Sequence, residues 1–519
     1  MTPATRHPPR DISIKRTLLA ASLSLATAQA ALAASARPAY PAVPLEWPLP
    51  YERSAQTTPL RARIEAMRLP RSVPAAALPT TRPVGSCADD DNPASLRSVL
   101  GKAGNGDTID LSTLTCSRIS LGQGALKVEI DDLTLLGPSA NELVLDGEDR
   151  DRILLHPASG TLTIENLTLA NGRFEAVDND IGFGGCVATG GSLVLRNSVI
   201  RDCTAVGVGS YGGAVLSGFL TMIDSTISGS TAFGDHPTNG TAAYGGGAFS
   251  YGVDIRDSTI SGNSAIGTDN APLSHWEIAG GLFIARNGGF IERTTFSDNF
   301  AIRFAGALTQ EGDLVLLNST VSGNSTEQDD GGGIRVRQGT SVSIQNTTIT
   351  NNHAGSRGGG ISFIDNALPS TFDSTIIAGN SAGGGGADAD SSMSLPIAGS
   401  HNLVENAGSR LGLPTDTLAG DPGLLPLANN GGRTRTHALS ADSIAIDRGI
   451  NPQGRSTDQR GFGYPREVNG AVDIGAYEFQ LGRDAPLAVP GLGRWAILAL
   501  GSLLGWLAFR RLRVQGGKT

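Results

Sequence analysis

A nine-residue phrase recurs along the middle of the chain and limits the folds that the chain can adopt. The phrase is DSTISGNSA at residues 257–265. Near-copies begin at Asn166, Asn197, Asp224, Arg293, Asn318, Asn346 and Ser374, spaced by 25 to 36 residues. A Gly run with a short apolar stretch comes before most copies, and an alternating stretch such as SLVLRN follows it. Three short strands in ~30 residues, with no helical stretch between them, predict a parallel β-solenoid.

The phrase alternates between apolar and polar residues, as a strand with one buried face does. Ile260 is expected to point inward, whereas Thr259 and Ser261 point outward and form a solvated face. A single coil cannot bury Ile260, so stacked coils must do so together. The expected partners at the same position are Val199, Ile227, Phe296, Val321 and Ile349.

The seventh position of the phrase carries an amide in most copies. An Asn at a turn can adopt left-handed geometry, and Asn side chains stacked at one position can bond to one another as a ladder. The sequence therefore predicts a structural role for this position. Its residues are Asn263, Asn299, Asn324, Asn352 and Asn380, with Ser230 and Cys203 in earlier copies.

Taken together, the repeats resemble the right-handed parallel β-helix of the pectin-lyase-like superfamily, over roughly residues 108–400. The resemblance implies an all-β fold with three short strands per coil of about 30 residues. It says little about activity, because function depends on sites placed on a fold rather than on the fold itself.

The repeats are flanked by two segments that resemble known modules. Residues 87–111, with Cys87, Ser95-Leu96-Arg97 and the stretch 106–109, resemble the segment before β-helices in exported bacterial CSLREA proteins. Its residues 95–103 are predicted to form a short amphipathic helix over the open end of the first coil. Residues 421–449 and 457–479, with DPG, NGG and DIGAYE, resemble the choice-of-anchor domain that follows such β-helices.

Both ends of the chain carry patterns of export. Basic residues precede an apolar run that ends in Ala31-Leu32-Ala33, which predicts a signal peptide over residues 1–33, cleaved after Ala33. At the other end, residues 495–509 form an apolar run predicted to be a transmembrane helix, with its basic flank on the cytoplasmic side. This tail resembles IPTL-type relatives of the PEP-CTERM sorting signals, although Gly491 departs from the IPTL pattern. The matching residues are Pro490, Trp495, Arg510, Arg511 and Arg513.

These patterns divide the chain into five parts. After the signal peptide come a Pro/Ala-rich spacer (34–85), the β-helix with its N-terminal cap (86–400), a closing domain (401–480) and the sorting tail (481–519). The tail's resemblance implies retention in a membrane and processing by a sorting protease. The net charge of −9 argues against a nucleic-acid partner, and no cofactor motif is present.

The four cysteines, Cys87, Cys116, Cys186 and Cys203, allow three pairings. Cys87 with Cys116 and Cys186 with Cys203 is the economical pairing by proximity. Disulfides are favoured over a catalytic thiol or a zinc site, because no CxxC spacing is present and an exported protein can retain disulfides.

The carboxylates are the first candidates for catalytic residues, since β-helix lyases and glycosidases use carboxylates. The weak candidates are the pairs Asp329 with Asp330 and Asp388 with Asp390, which lie in Gly-rich turns where Asp also serves as a turn former. No metal site is predicted; Asp447, Asp458 and Asp473 lie near arginines and are expected to form ion pairs rather than a Ca²⁺ site. The histidines share no spacing and are expected at the surface or in turns.

The sequence therefore predicts an exported cell-envelope or surface protein with a structural or adhesive β-helix, without catalytic activity. Its expected partners are the membrane and a polysaccharide or another cell-surface ligand. One alternative is a polysaccharide lyase or glycoside hydrolase on the same scaffold. Another is an extracellular-matrix component released after the tail is cleaved.

Overall fold

The structure is a computed structural model that describes residues 79–480, except 178–179, 236–241, 269–275, 338 and 365–366. Within these residues the chain forms an all-β parallel solenoid of about 11 turns, with one short helix, Leu96–Leu100. The predicted signal peptide with Ala33, most of the spacer, and the sorting tail lie outside the described residues. No helix within the described part is long and apolar enough to cross a membrane.

Three parallel sheets run the length of the solenoid, and all but the terminal coils contribute one strand to each sheet. Sheet A consists of Thr81–Pro83, Thr108–Asp110, Leu133–Leu136, Thr161–Glu165, Ser192–Arg196, Phe219–Ile223, Val253–Arg256, Gly289–Glu292, Leu314–Leu317, Val342–Gln345, Ser370–Asp373, Leu395–Ser400 and Leu411–Gly412. Sheet B consists of Arg118–Ser120, Val144–Asp146, Thr168–Ala170, Val199–Arg201, Thr226–Ser228, Thr259–Ser261, Thr295–Ser297, Thr320–Ser322, Thr348–Thr350, Ile376–Ala378 and Leu403–Val404. Sheet C consists of Leu126–Lys127, Leu154–His156, Val187–Thr189, Val215–Ser217, Ala248–Ser250, Leu282–Ile284, Leu308–Gln310, Ile334–Val336, Ile361–Phe363 and Ala389–Ser391.

Two smaller parallel sheets are inserted between sheets B and C. Sheet D consists of Arg173–Glu175, Thr204–Gly207, Thr231–Gly234, Ser264–Gly267, Phe300–Ala301, Ser325–Thr326, His353–Ala354 and Ser381–Ala382. Sheet E consists of Gly182–Phe183, Gly209–Tyr211, Ala242–Tyr244 and Trp276–Ile278. The coils therefore have up to five strands rather than the three that the repeat predicts. The solenoid also starts before residue 86 and ends after residue 400.

The recurring phrase forms sheet B, and its central apolar residue lies in the core. Ile260 pairs in register with Ile227 on one side and Phe296 on the other, and all three are fully buried. One expected member of this stack was wrong. Ile200, not Val199, pairs with Ile227, because Val199 lies one residue earlier in the alternation and points outward.

The corners of sheet B are made by residues with positive φ at the first and sixth positions of the phrase. Asp257 has φ 52° and Gly262 has φ 63°, and equivalent residues in other copies share this geometry. The sequence predicted left-handed geometry for the seventh-position Asn. In the structure the positive φ lies at the sixth position instead. Asp, Asn and Gly tolerate positive φ best, which explains why they recur at positions one and six.

The asparagine ladder, Asn263 to Asn380, runs inside the corner between sheets B and D. In each step, the backbone N–H and the Nδ2 of one Asn donate to Oδ1 of the next, at 2.8–3.1 Å. Each Nδ2 also donates to a backbone carbonyl in the coil before, such as that of Ile260 for Asn299. The ladder residues are buried, with Asn380 the most exposed at 8%. The ladder therefore pairs polar groups that would otherwise be buried without partners.

A second ladder, of hydroxyl side chains, occupies the second position of the phrase at the opposite corner of sheet B. Its residues are Ser198, Ser225, Ser258, Thr294, Ser319, Thr347 and Thr375. The hydroxyl of Ser225, for example, accepts the N–H of Ser198 at 3.2 Å and donates to the carbonyl of Ile223 at 2.8 Å. These residues are buried, so not all Ser and Thr of the phrase belong to a solvated face.

The N-terminal end of the solenoid is covered by the short helix, which lies inside the stretch 95–103 predicted from sequence. Ser95 is its N-cap, and Leu96, Val99 and Leu100 are buried against the first coil. Disulfides join Cys87 to Cys116 and Cys186 to Cys203, which are the pairs nearest in sequence.

Residues 413–480, here called the fold-back segment, return along the outer face of sheet B. They have little regular structure, and Leu439, Ile474 and Tyr477 pack with Ile376 and Leu403 of the solenoid. The outward residues Thr295, Thr320 and Thr348 are consequently buried. The expectation of a solvated Thr/Ser face is therefore wrong for the strands from Thr295–Ser297 onward, because they carry this cover.

Candidate functional site

Asp388, one of the candidate catalytic residues, lies at the end of the asparagine ladder. Its Oδ1 accepts the backbone N–H of Asn380 at 2.9 Å and the Nδ2 of Asn380 at 2.8 Å, while Oδ2 accepts the N–H of Asn406 at 2.8 Å. Burial raises the pKa of Asp388, although these hydrogen bonds oppose the shift. The side chain is 1% exposed, so it cannot reach a substrate in this conformation.

Asp329 and Asp330 each pair with an arginine from a different neighbouring coil. Asp329 contacts Arg303 at 2.8 Å, and Asp330 contacts Arg357 at 3.0 Å. Two adjacent carboxylates thus link three successive coils, and they do not converge on one point as a pair of catalytic carboxylates must.

Asp390 differs from Asp388 because it lies at the centre of strand Ala389–Ser391 and points to the outer side of sheet C. Gly385 and Gly408 pack so closely on its carboxylate that a Cβ at either position would overlap it. Its Oδ1 accepts the N–H of Ser391 at 2.8 Å. The structure therefore separates the sequence pair Asp388 and Asp390, placing one inside the solenoid and one outside.

A shallow, open groove of about 370 Å³ passes over Asp390. Its lining residues are Arg357, Gly385, Gly386, Asp390, Asn406, Ala407, Gly408, Ser409 and Arg410. The groove offers guanidinium donors and one carboxylate acceptor, which suits hydrogen bonding to a hydroxyl-rich ligand. Arg357 is the functional candidate that the sequence did not indicate, since only the stacking of coils brings it beside Asp390.

No group of three or more His, Cys, Asp or Glu residues suited to a metal ion occurs in the described residues. Asp458 instead forms a buried ion pair with Arg460 at 2.7 Å. The carboxylate of Asp473 accepts the backbone N–H groups of Asp447 and Phe479. These acids hold the fold-back segment together.

The fold-back segment contains a second buried ion pair, which the sequence did not indicate. Arg466 contacts Glu478 at 2.6 Å, and both side chains are at most 1% exposed. Burial raises the pKa of Glu478 to about 7, while the charge of Arg466 opposes the shift. The raised pKa shows that the cost of burying the Glu478 carboxylate exceeds the attraction of Arg466.

Two of the histidines are buried, contrary to the expectation of surface positions. The ring of His156 contacts the hydroxyl of Thr189 at 2.7 Å, and that of His437 contacts the hydroxyl of Ser322 at 2.9 Å. Burial lowers the pKa of both imidazoles. His437 thereby joins the fold-back segment to sheet B.

Comparison with known proteins agrees with this architecture. Residues 244–407 match the family model described as right handed beta helix region. A similar solved structure is the crystal structure of pectate lyase Pel9A, at 14% sequence identity and a TM-score of 0.43, covering 78% of this chain and 98% of that chain. No curated protein matches the chain.

Proposed function

We propose that this protein is an exported structural or adhesive β-helix of the cell envelope, without catalytic activity. The supporting observation is the use made of its candidate carboxylates. Asp329 and Asp330 each pair with an arginine of a neighbouring coil, and Asp388 accepts the backbone N–H of Asn406 from the next coil, so all three serve the stability of the solenoid. A carboxylate held in this way is a poor acid or base, because moving it would break bonds between coils.

Attachment to the envelope rests on the sequence patterns at the two ends of the chain. The basic and apolar stretch before Ala33 supports export, and the apolar run at 495–509 with Arg510, Arg511 and Arg513 supports retention in a membrane. Fractionation of cells that express the full chain, or a chain ending at Gln480, tests this part. The full chain is expected in the membrane fraction and the shortened chain in the soluble exported fraction; equal distribution would contradict the anchor.

The alternative function, depolymerisation of a polysaccharide, is favoured by the groove over Asp390. Asp390, which is 5% exposed, and Arg357 both line this groove, although Arg357 is also paired with Asp330 at 3.0 Å. Asp390 makes this alternative testable because, unlike Asp388, it is not part of the asparagine ladder.

The two functions are separated by incubating the full-length protein with acidic and neutral polysaccharides and measuring new chain ends. We expect none to form. Product formation that is lost in Asp390→Ala, but retained in an Asp235→Ala control at an exposed position, would establish the enzyme and refute our proposal.

A further inference from the structure

Three neighbouring strands of sheet B are not covered by any segment within the described residues. The fold-back segment covers sheet B from Thr295 onward, and its residues 433–435 lie along strand Thr295–Ser297. On the other side, the hydroxyl of Thr168 donates to the carbonyl of Ala140 at 2.6 Å, so that strand is covered too. Between them lie Val199–Arg201, Thr226–Ser228 and Thr259–Ser261, here called the sheet B window, whose outward side chains are half-exposed.

The window continues a surface whose hydroxyl groups form hydrogen bonds wherever it is covered. Thr295 donates to the carbonyl of Arg435 at 2.7 Å, and Thr320 donates to the amide oxygen of Gln459 at 2.6 Å. Within the described residues, the side-chain hydroxyls of Thr226, Ser228, Thr259 and Ser261 have no such partner. The window therefore presents four unpaired hydroxyls at fixed positions on a rigid sheet.

A fully exposed aromatic side chain stands at the border of the window. Phe462 is solvent-exposed at the tip of a tight turn between Gly461 and Gly463, both with positive φ. The turn is held firmly, because the N–H of Asp458 donates to the carbonyl of Tyr464 at 3.0 Å and Arg460 is buried beneath it. A Cβ on Gly461 would lie 4.0 Å from Cδ of Arg293.

The carboxylates around the window are each paired with an arginine. Arg293 pairs with Asp257 at 2.7 Å, and Arg433 pairs with Asp224 at 3.3 Å. Asp257 and Asp224 directly precede two window strands, and Gly461, which precedes Phe462, lies beside Arg293, the partner of Asp257. Arg201 and Asp202 form a third pair. Because each carboxylate has a guanidinium partner, the window has no excess charge to attract an ionic polymer.

The size and chemistry of the window restrict its ligand. Three strands at a spacing of about 4.8 Å, each three residues long, give a floor on the order of 100 Å². A stable protein interface needs roughly 800 Å² on each partner and an apolar centre. The backbone groups of the window strands are already paired within sheet B, so an added peptide strand could not use them. A ligand rich in hydroxyl groups, with an apolar face for Phe462, meets these conditions.

We propose that the sheet B window and Phe462 form a non-catalytic docking site for a neutral polysaccharide chain. The hydroxyls of Thr226, Ser228, Thr259 and Ser261 exchange hydrogen bonds with sugar hydroxyls, and Phe462 packs against the face of a sugar ring. This inference rests on the proposed adhesive function and assigns it to one surface. The surface is distinct from the groove over Asp390.

The test measures binding of the full-length protein to immobilised neutral glucans, mannans, galactans and xylans, with polygalacturonate and alginate as anionic polymers. The variants are Phe462→Ala and the double variant Thr226→Ala/Thr259→Ala. Matched controls are Phe219→Ala, a partly exposed Phe of sheet A, and Thr134→Ala/Thr163→Ala, two adjacent half-exposed threonines of sheet A. All six positions are outward-facing, so the thermal unfolding curves of the variants should match that of the parent protein.

We expect at least one neutral polysaccharide to bind, with an affinity roughly tenfold lower in Phe462→Ala and several-fold lower in the double variant, since a few central contacts carry most binding energy. The controls should bind like the parent protein. Binding that the window variants leave unchanged, or that occurs only with anionic polymers, would overturn the site while leaving an adhesive function in place. Binding to none of the neutral polymers would overturn the site as well. Depolymerisation of a polysaccharide would refute the proposed function rather than the site. It is measured by the appearance of new chain ends, not by binding.

Discussion

At the scale of single residues, each of the first seven positions of the nine-residue phrase has one structural role. In DSTISGNSA, Asp257 and Gly262 turn the corners with positive φ, and Ser258 and Asn263 form the two polar ladders. Ile260 fills the core, while Thr259 and Ser261 face outward. The phrase recurs because every coil needs the same corner geometry and the same partners above and below.

Asn324→Leu is expected to destabilise the solenoid strongly. The change removes the acceptor of two N–H groups of Asn299 and the donor to the carbonyl of Phe296. Leaving buried polar groups unpaired costs about 1–3 kcal/mol each, so a total loss on the order of 3 kcal/mol in the free energy of unfolding is expected. Thermal and denaturant unfolding measure it. Gln328→Leu, which changes an exposed amide four residues after Asn324, is the control and should hardly change the free energy of unfolding. Equal unfolding free energies for the two variants would contradict the ladder.

At the scale of elements, the fold-back segment and sheet B are joined mainly through polar side chains. Gln459 lies between two strands: its Nε2 donates to the hydroxyl of Thr295 at 2.9 Å, and its Oε1 accepts the hydroxyl of Thr320. Ion pairs from Arg433 and Arg455 to Asp224 and Glu292 lie at the edges. The segment has few strand pairs of its own, so its order depends on the sheet beneath it.

Gln459→Leu is therefore expected to loosen the fold-back segment before the solenoid. The change leaves the hydroxyls of Thr295 and Thr320 without their amide partner, at a cost of about 1–3 kcal/mol. Limited proteolysis should cleave residues 413–480 several-fold faster than in the parent protein, while the solenoid core resists. Gln453→Leu, an exposed position of the same segment, should leave the cleavage rate unchanged. Uniform loss of protection over the whole solenoid would show that the segment is not a separate unit.

At the scale of the whole molecule, stability depends on charges buried within the fold-back segment. Glu478 faces Arg466 and lies next to Asp473, whose own pKa is also raised by burial. For Glu478 the folded-state pKa of about 7 lies above the ordinary value of 4.5. Its contribution to stability is fully present below pH 4.5 and is lost as the pH rises through about 7.

Comparison of the parent protein with Glu478→Gln tests this pH dependence. Between pH 4.5 and 7.5 the parent protein should lose on the order of 2 kcal/mol more unfolding free energy than the variant, which has no carboxyl group to titrate at this position. Buried His156 and His437 act in the opposite direction below pH 6.5 because their pKa values are lowered, but both are present in the two proteins. Parallel stability curves for the two proteins would contradict the assigned shift.

The sequence alone determined the solenoid, because the repeat has the same alternation of inward apolar and outward polar residues in every coil. Ile260 and the asparagine ladder follow from that local period, and the cysteines pair with their nearest partners. Only the tertiary structure decided three features. These are the fold-back cover, the separation of Asp388 from Asp390 and the position of Arg357. The fold-back cover arises from contacts between residues far apart in the sequence, such as Thr295 and Gln459 at a separation of 164 positions, which no local pattern records. The window that we propose as a docking site exists for the same reason, since it is the part of a repeated surface that the returning chain leaves uncovered.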